Sequence, residues 1–159
     1  MAEAYQGANT FEEDTQHGRY LTFTVDREVY GLEILYVTEI IGLQAITKIP
    51  ELPNYVKGII NLRGKIVPVI DIRMKFGKEP IEYDERTCVI VIEVNGISVG
   101  LIVDRVDEVM NIEDDEIADP PSIKTGFENS YIKGIGKAEG KVQLLLDCEK
   151  LLKENLGRS

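Results

Sequence analysis

The chain has 159 residues, 43% apolar and 29% charged, a balance that bounds it to one compact unit or two closely joined small ones and excludes a wholly disordered chain. Asp and Glu outnumber Lys and Arg by 28 to 18, a net charge of −10 that repels a phosphate backbone and argues against nucleic acid as a partner. No apolar run approaches the roughly 20 residues that cross a bilayer, and the polar, acidic first 15 residues lack the basic-then-apolar pattern of a signal peptide.

A cytoplasmic address without direct membrane insertion is therefore expected. Cys88 and Cys148 lie in apolar runs and are expected to be free thiols in a reducing compartment. Residues 1–18 are expected to form a flexible tail.

From there the chain reads as β-rich. Residues 19–25 (RYLTFTV) and 87–94 (TCVIVIEV) concentrate β-branched and aromatic side chains in short runs. Each is followed by a return strand, 29–34 after Asp26-Arg27-Glu28 and 97–103 after Asn95-Gly96. Asn-Gly is a favoured hairpin dipeptide because both residues tolerate positive φ. Residues 35–41 and 104–110 have mixed apolar spacing and fit a strand or a short helix. Residues 65–72 and 141–148 are further apolar strands, and Pro68 argues that the first is an edge or bulged there. The last segment, 147–156, places Leu151, Leu152 and Leu156 on one helical face, with Asp147 as N-cap and Gly157 as stop.

The elements recur. YVKGIINLRGKIVPVID at 55–71 and YIKGIGKAEGKVQLLLD at 131–147 share Tyr, Lys, Gly, Ile, Gly, Lys and Asp in register. Upstream, Val25, Gly31, Leu32, Val37 and Glu39 meet Val94, Gly100, Leu101, Val106 and Glu108 at a slightly shorter offset. The second copy thus carries a longer connection, in the acidic, Pro-containing stretch 112–125. Two copies, about 20–79 and 87–156, are too few for a solenoid, and each is too small to be stable alone, so the halves are expected to share a core.

The sequence offers no constellation for reaction chemistry. The single histidine, His17, lies in the tail. No metal spacing exists, and the run Glu113-Asp114-Asp115-Glu116 lacks the ligand alternation and glycine of a calcium loop. Gly134, Gly136 and Gly140 precede a strand, not a helix, and suit turns better than phosphate binding. Asp71 and Asp147, twins in the repeat, invite comparison with an aspartic dyad, but neither sits in a glycine turn and each opens a helix, which favours N-caps. Catalytic residues and cofactors are therefore expected to be absent.

Where the copies diverge, the shared fold explains nothing. Asn61-Leu62-Arg63 in the first copy faces Lys137-Ala138-Glu139 in the second. An arginine in a glycine-bounded loop offers a planar fork to carboxylates, or else is a solvated charge. Glu39 is either a surface carboxylate or an anchor for a basic group.

The stretch 55–76, YVKGIINLRGKIVPVIDIRMKF, closely resembles the hallmark segment of the chemotaxis coupling (CheW) family, with its G-x-I-N-L-R-G-x-x-x-P-V-x-D-x-R pattern running from Gly58 to Arg73. Supporting marks are Tyr30-Gly31-Leu32, Val37-x-Glu39-Ile40, residues 99–104 (VGLIVD) and Tyr131-Ile132-Lys133-Gly134, so the likeness covers residues 19–156. It implies a mainly β fold of two pseudo-symmetric five-stranded SH3-like barrel subdomains sharing a hydrophobic core, with short helices and a C-terminal helix. It also implies a non-enzymatic adaptor joining the cytoplasmic tip of methyl-accepting chemotaxis receptors to the regulatory domain of the histidine kinase CheA. Val37, Glu39, Gly58, Arg63 and Val106 match the family's receptor-binding groove. Ile117, Ala118 and Ile123 match a kinase-binding loop, in which Ala118 stands where some relatives carry arginine. Gly64, Gly100 and Gly134 match glycines that hold loop geometry. The alternative is a stand-alone barrel that binds a small ligand or peptide, which would need an enclosed apolar pocket.

Overall fold

The computed structural model describes residues 17–120 and 131–156, the last three by backbone alone, so most of the expected tail and Gly157 lie outside the described residues. The chain begins with the hairpin β1 (Arg19–Val25) and β2 (Glu28–Glu33), then passes through a 3-10 turn at Ile34–Tyr36 into β3 (Val37–Gly42). The hairpin β4 (Val56–Leu62) and β5 (Lys65–Asp71) leads into a one-turn helix, α1 (Ile72–Lys75). A third hairpin, β6 (Cys88–Val94) and β7 (Ile97–Val103), precedes β8 (Arg105–Asn111) and the two-residue β9 (Ile117–Ala118). The chain closes with β10 (Ile132–Gly136), β11 (Gln143–Leu146) and α2 (Cys148–Leu156). The two segments of mixed spacing are thus mostly strand.

The sheets are ordered β3-β6-β7-β5-β4 and β8-β1-β2-β11-β10-β9. Mapping each strand onto its sequence twin turns the first order into the second, with β9 as the sole addition. The sequence copies are nevertheless not the lobes. Residues 37–103 build the five-stranded lobe, and the hairpin β1–β2 leaves its own copy to join β8–β11. The reason lies in two parallel pairings, Val69–Asp71 on Gly100–Ile102 and Leu144–Leu145 on Tyr30–Gly31, each uniting strands from different copies. A parallel pair needs a long crossover, and here the exchanged copy supplies it.

Exchange explains why β1 and β6 read as nearly continuous apolar runs: both of their faces are buried. Leu21, Phe23 and Val25 of β1 and Ile90, Ile92 and Val94 of β6 enter one central cluster with Tyr30, Leu32, Leu101, Phe76, Leu146 and Leu151. The opposite face of β6, Val89 and Val91, fills the five-stranded lobe with Ile60, Val67, Val69 and Ile102. In the six-stranded lobe Tyr20 joins Met110, Ile112, Ala138 and Leu145. Its neighbours Thr22 and Thr24 are buried but satisfied, donating to the Glu108 carbonyl at 2.8 Å and to Asp107 at 2.6 Å. Each fully buried aliphatic or aromatic side chain is worth about 1.5–3 kcal/mol, so the central cluster fastens the lobes together.

Twin contacts recur in detail. Asp71 N donates to Tyr55 O at 2.7 Å, and Asp147 N to Tyr131 O at 2.8 Å. Between these tyrosines lies the buried Lys75, its Nζ 4.2 Å from the Tyr55 ring centroid and 4.8 Å from that of Tyr131. Pro68 corrects one expectation, because β5 lies between β4 and β7 and is not an edge. The ladder to β7 begins at Val69, one residue after the missing N–H.

Asp26 and Arg27 hold φ of 52° and 76° in the turn where the twin has Asn95-Gly96. A side chain in that left-handed region costs about 1 kcal/mol, so Arg27→Gly should raise the urea midpoint by a comparable stability gain. Burial pushes the Cys148 thiol up to about 12, against 9.0 when exposed. The folded chain therefore keeps a proton that the unfolded chain sheds. That stabilisation is whole below pH 9.0 and fades as pH rises toward about 12. Stability should fall less steeply over this window in Cys148→Ala, measured by urea unfolding at stepped pH.

Candidate functional site

The twin aspartates are structural. Asp71, 3% exposed, accepts from Met74 N at 3.3 Å on one oxygen and from the Tyr83 hydroxyl at 2.6 Å on the other. Asp147 accepts from Lys150 N at 3.1 Å. Both cap the first turn of a helix, as their positions predict. Burial, joined by the hydrogen bond to Asp71, pushes the Tyr83 hydroxyl above its ordinary range. Among the described residues no three His, Cys, Asp or Glu gather to hold a metal. No described helix is long and apolar enough to cross a membrane.

Glu39 and Arg63 do come together. Glu39 lies on β3, one margin of the five-stranded sheet, and Arg63 follows β4, the other margin, so their ion pair spans the two edges. The segment after β3 also meets β4 through the bridge Thr47–Ile59, with reciprocal bonds of 2.9 Å. Arg63 reaches this position from a tight turn with positive φ at both Arg63 and Gly64. At the twin positions, Glu108 and Glu139, both residues are acidic, so the second lobe cannot form this pair. The Arg63 side chain remains 71% exposed. An exposed pair of this kind contributes about 0–1 kcal/mol, so fold stability does not account for it.

Val37 and Val106, also twins, sit half-buried on the opposite sheet margins β3 and β8 and pack against the central cluster. They reach the same core from different lobes. Gly58 is buried, with φ of 144°, and a Cβ there would lie 2.1 Å from the Thr47 carbonyl oxygen. It serves the surface by letting the 43–55 segment close over β4.

The remaining assignments divide. Gly64 has open space around it and is required by φ of 86° alone, in keeping with a turn role. Gly100 and Gly134 lie within β7 and β10, not in loops. A Cβ on Gly100 would meet Val69 and Val89 at 2.7 and 2.8 Å, and one on Gly134 would meet Ile117 at 2.8 Å. Close packing, not turn geometry, selects glycine at both. The expected loop at 117–123 is corrected at its start: Ile117 and Ala118 form β9, paired with Gly136 and Ile135, because the longer connection adds an edge strand. Ile123 lies outside the described residues.

One node was missed from the sequence. Arg73, its side chain 12% exposed, grips Asp104 with three contacts of 3.1–3.2 Å, donates to the Glu79 carbonyl at 2.7 Å and reaches Asp26 at 3.4 Å. Lys78 adds a 2.9 Å pair with Glu28. These contacts tie the β1–β2 turn of one lobe to the other. Burial alone would lower the Arg73 pKa, but its bonds to Asp104 outweigh that and raise it. The available signal was again divergence, since the twin of Arg73 is Glu149.

A profile of the CheW-like domain matches residues 19–156. A chemotaxis protein CheW of Klebsiella aerogenes is 39% identical over 139 residues, 87% of this chain and 84% of that protein. A chemotaxis protein CheW of Helicobacter pylori is 32% identical over 93% of this chain and 90% of its own length. Among solved structures, the scaffolding protein TtCheW of Thermoanaerobacter tengcongensis superposes with a TM-score of 0.77 at 38% identity, covering 82% of this chain and 88% of that one.

Gly58→Ala should destabilise strongly, by about 2–4 kcal/mol for combined collision and strain. Arg73→Ala should cost about 2–3 kcal/mol, because it strips charged hydrogen bonds from a partly buried aspartate. Arg63→Ala should shift stability by less than about 1 kcal/mol. Denaturant midpoints for the three variants check this order.

Proposed function

Because the chain belongs to the CheW-like domain family, we propose that this chemotaxis coupling adaptor joins the cytoplasmic tip of methyl-accepting receptors to the regulatory domain of the histidine kinase CheA. It would do so in the cytoplasm, at receptor arrays, by holding both partners in one geometry and without chemistry of its own.

The observation that carries the site is the exposed Glu39–Arg63 pair, present in one lobe and impossible in its twin. It stands on sheet edges whose geometry is fixed from beneath by Gly58 and by the Thr47–Ile59 bridge. The same lobe exposes Ile40 and Leu43 beyond the pair, 44% and 37% accessible. An amphipathic receptor helix laid along this edge would set its apolar stripe against Val37 and Val106, with the charged pair fixing register. Ile117 and Ala118, half-exposed on β9, would serve the kinase side together with Ile123. Individually weak interfaces suffice when an array repeats them.

The alternative, a barrel enclosing a small ligand, finds no support inside the five-stranded lobe, where Ile60, Val67, Val69, Val89, Val91 and Ile102 fill the interior. Two-partner capture tests the proposal, using a receptor tip fragment and the kinase regulatory domain. Arg63→Ala should weaken receptor capture by about tenfold, the loss of one charge-assisted contact, while the melting temperature stays unchanged. The charge exchange Glu39→Arg with Arg63→Glu should restore part of it. Full capture by Arg63→Ala would defeat the assignment of this pair.

A further inference from the structure

A cleft of about 460 Å³ opens on the seam between the lobes, away from the Glu39–Arg63 edge. Arg27 and Arg105 enter it from the six-stranded lobe, Arg73 and Arg86 from the side of α1 and the segment before β6. Four arginines against three aspartates, Asp26, Asp84 and Asp104, in one wall run against the average field of a chain with net charge −10.

The acidic residues in the wall are each engaged, and they leave part of the basic charge over. Asp104 is occupied by the fork of Arg73, and Asp26 is approached by Arg73 at 3.4 Å and Lys78 at 3.9 Å. Asp84 accepts from the backbone N–H of Arg86 at 2.8 Å and pairs loosely with the Arg86 guanidinium at 3.9 Å. Arg105 uses Nε on Asp107 at 2.9 Å, which leaves its terminal nitrogens. Arg27 has no ion pair among the described residues.

The fold does not demand this arrangement. The twin of Arg27 is Gly96, and Arg27 occupies the same left-handed backbone conformation, with φ of 76°, at a cost that glycine would avoid. Strain retained at a cleft wall is a sign of use.

We propose that this cleft binds a small soluble phosphorylated molecule, its phosphates held by Arg27, Arg86 and Arg105 and its apolar part resting on Ile81 and Val29. Guanidinium forks match phosphate oxygens in pairs. A phosphate ester offers three acceptor oxygens to donors arriving from different sides, whereas a carboxylate offers two in one plane. The volume suits a ligand of nucleotide size. Because Arg27 and Arg86 approach from different lobes, the bound molecule would brace the seam that Arg73 already ties.

Calorimetric titration at low ionic strength, with pyrophosphate, adenosine triphosphate and unphosphorylated adenosine as probes, tests this directly. Both phosphorylated probes should bind saturably at one site and raise the melting temperature, and adenosine should not. Arg27→Gly and Arg86→Ala should each weaken binding by about tenfold, the loss of one charged fork. Arg27→Gly relieves strain, so a loss in that variant cannot be laid to unfolding, and its melting curve checks the point. No saturable binding by either phosphorylated probe, equal binding of adenosine, or unchanged affinity in both variants would each overturn the proposal.

Discussion

Everything in this molecule depends on two parallel strand pairings, β5 on β7 and β11 on β2, that unite strands from different sequence copies. Parallel neighbours cannot be joined by a tight turn, so each lobe must borrow a hairpin. The borrowed hairpins are buried on both faces, one toward their lobe and one toward the central cluster. The five-stranded sheet is contiguous over residues 37–103, but the six-stranded sheet is complete only when the first hairpin meets the last strands of the chain. A fixed relation between the lobes is the consequence, because both pack on one central cluster.

The seam is reinforced in two chemically different ways. In the interior, Phe23 stacks on Tyr30, Tyr30 meets Phe76, and Phe76 meets Tyr131, with ring centroids 5.5–5.8 Å apart. Lys75 adds its charge between the twin tyrosines. At the periphery, Arg73 and Lys78 bind carboxylates of the β1–β2 turn. The apolar part is insensitive to salt, and the charged part is shielded by partial burial. The rim thus remains fixed where partners or ligands approach.

Pseudo-symmetry separates what the fold needs from what it does not. Residues alike in both copies, such as Tyr55 and Tyr131 or Asp71 and Asp147, make the same backbone contacts twice. Residues that differ carry the particular properties of the chain. Arg63 pairs with Glu39 where Glu139 would face Glu108, Arg73 grips Asp104 where its twin is Glu149, and Arg27 strains a turn that Gly96 makes easily. These three arginines lie on the two surfaces proposed to bind partners, the Glu39–Arg63 edge and the seam cleft.

The sequence by itself determined the duplication, the strand content, the helix caps at Asp71 and Asp147, the Asn95-Gly96 turn and the family, because these are set by local periodicity, turn chemistry and motif. Tertiary structure alone decided which copy's hairpin completes which sheet, since a hydrophobic strand carries no label for its neighbour. It also decided that Pro68 sits inside a sheet, that Gly58, Gly100 and Gly134 are demanded by atoms from distant segments, and that Arg73 locks the lobes. Long-range packing and charge pairing depend on where the chain returns in space, and no local pattern in the sequence records that.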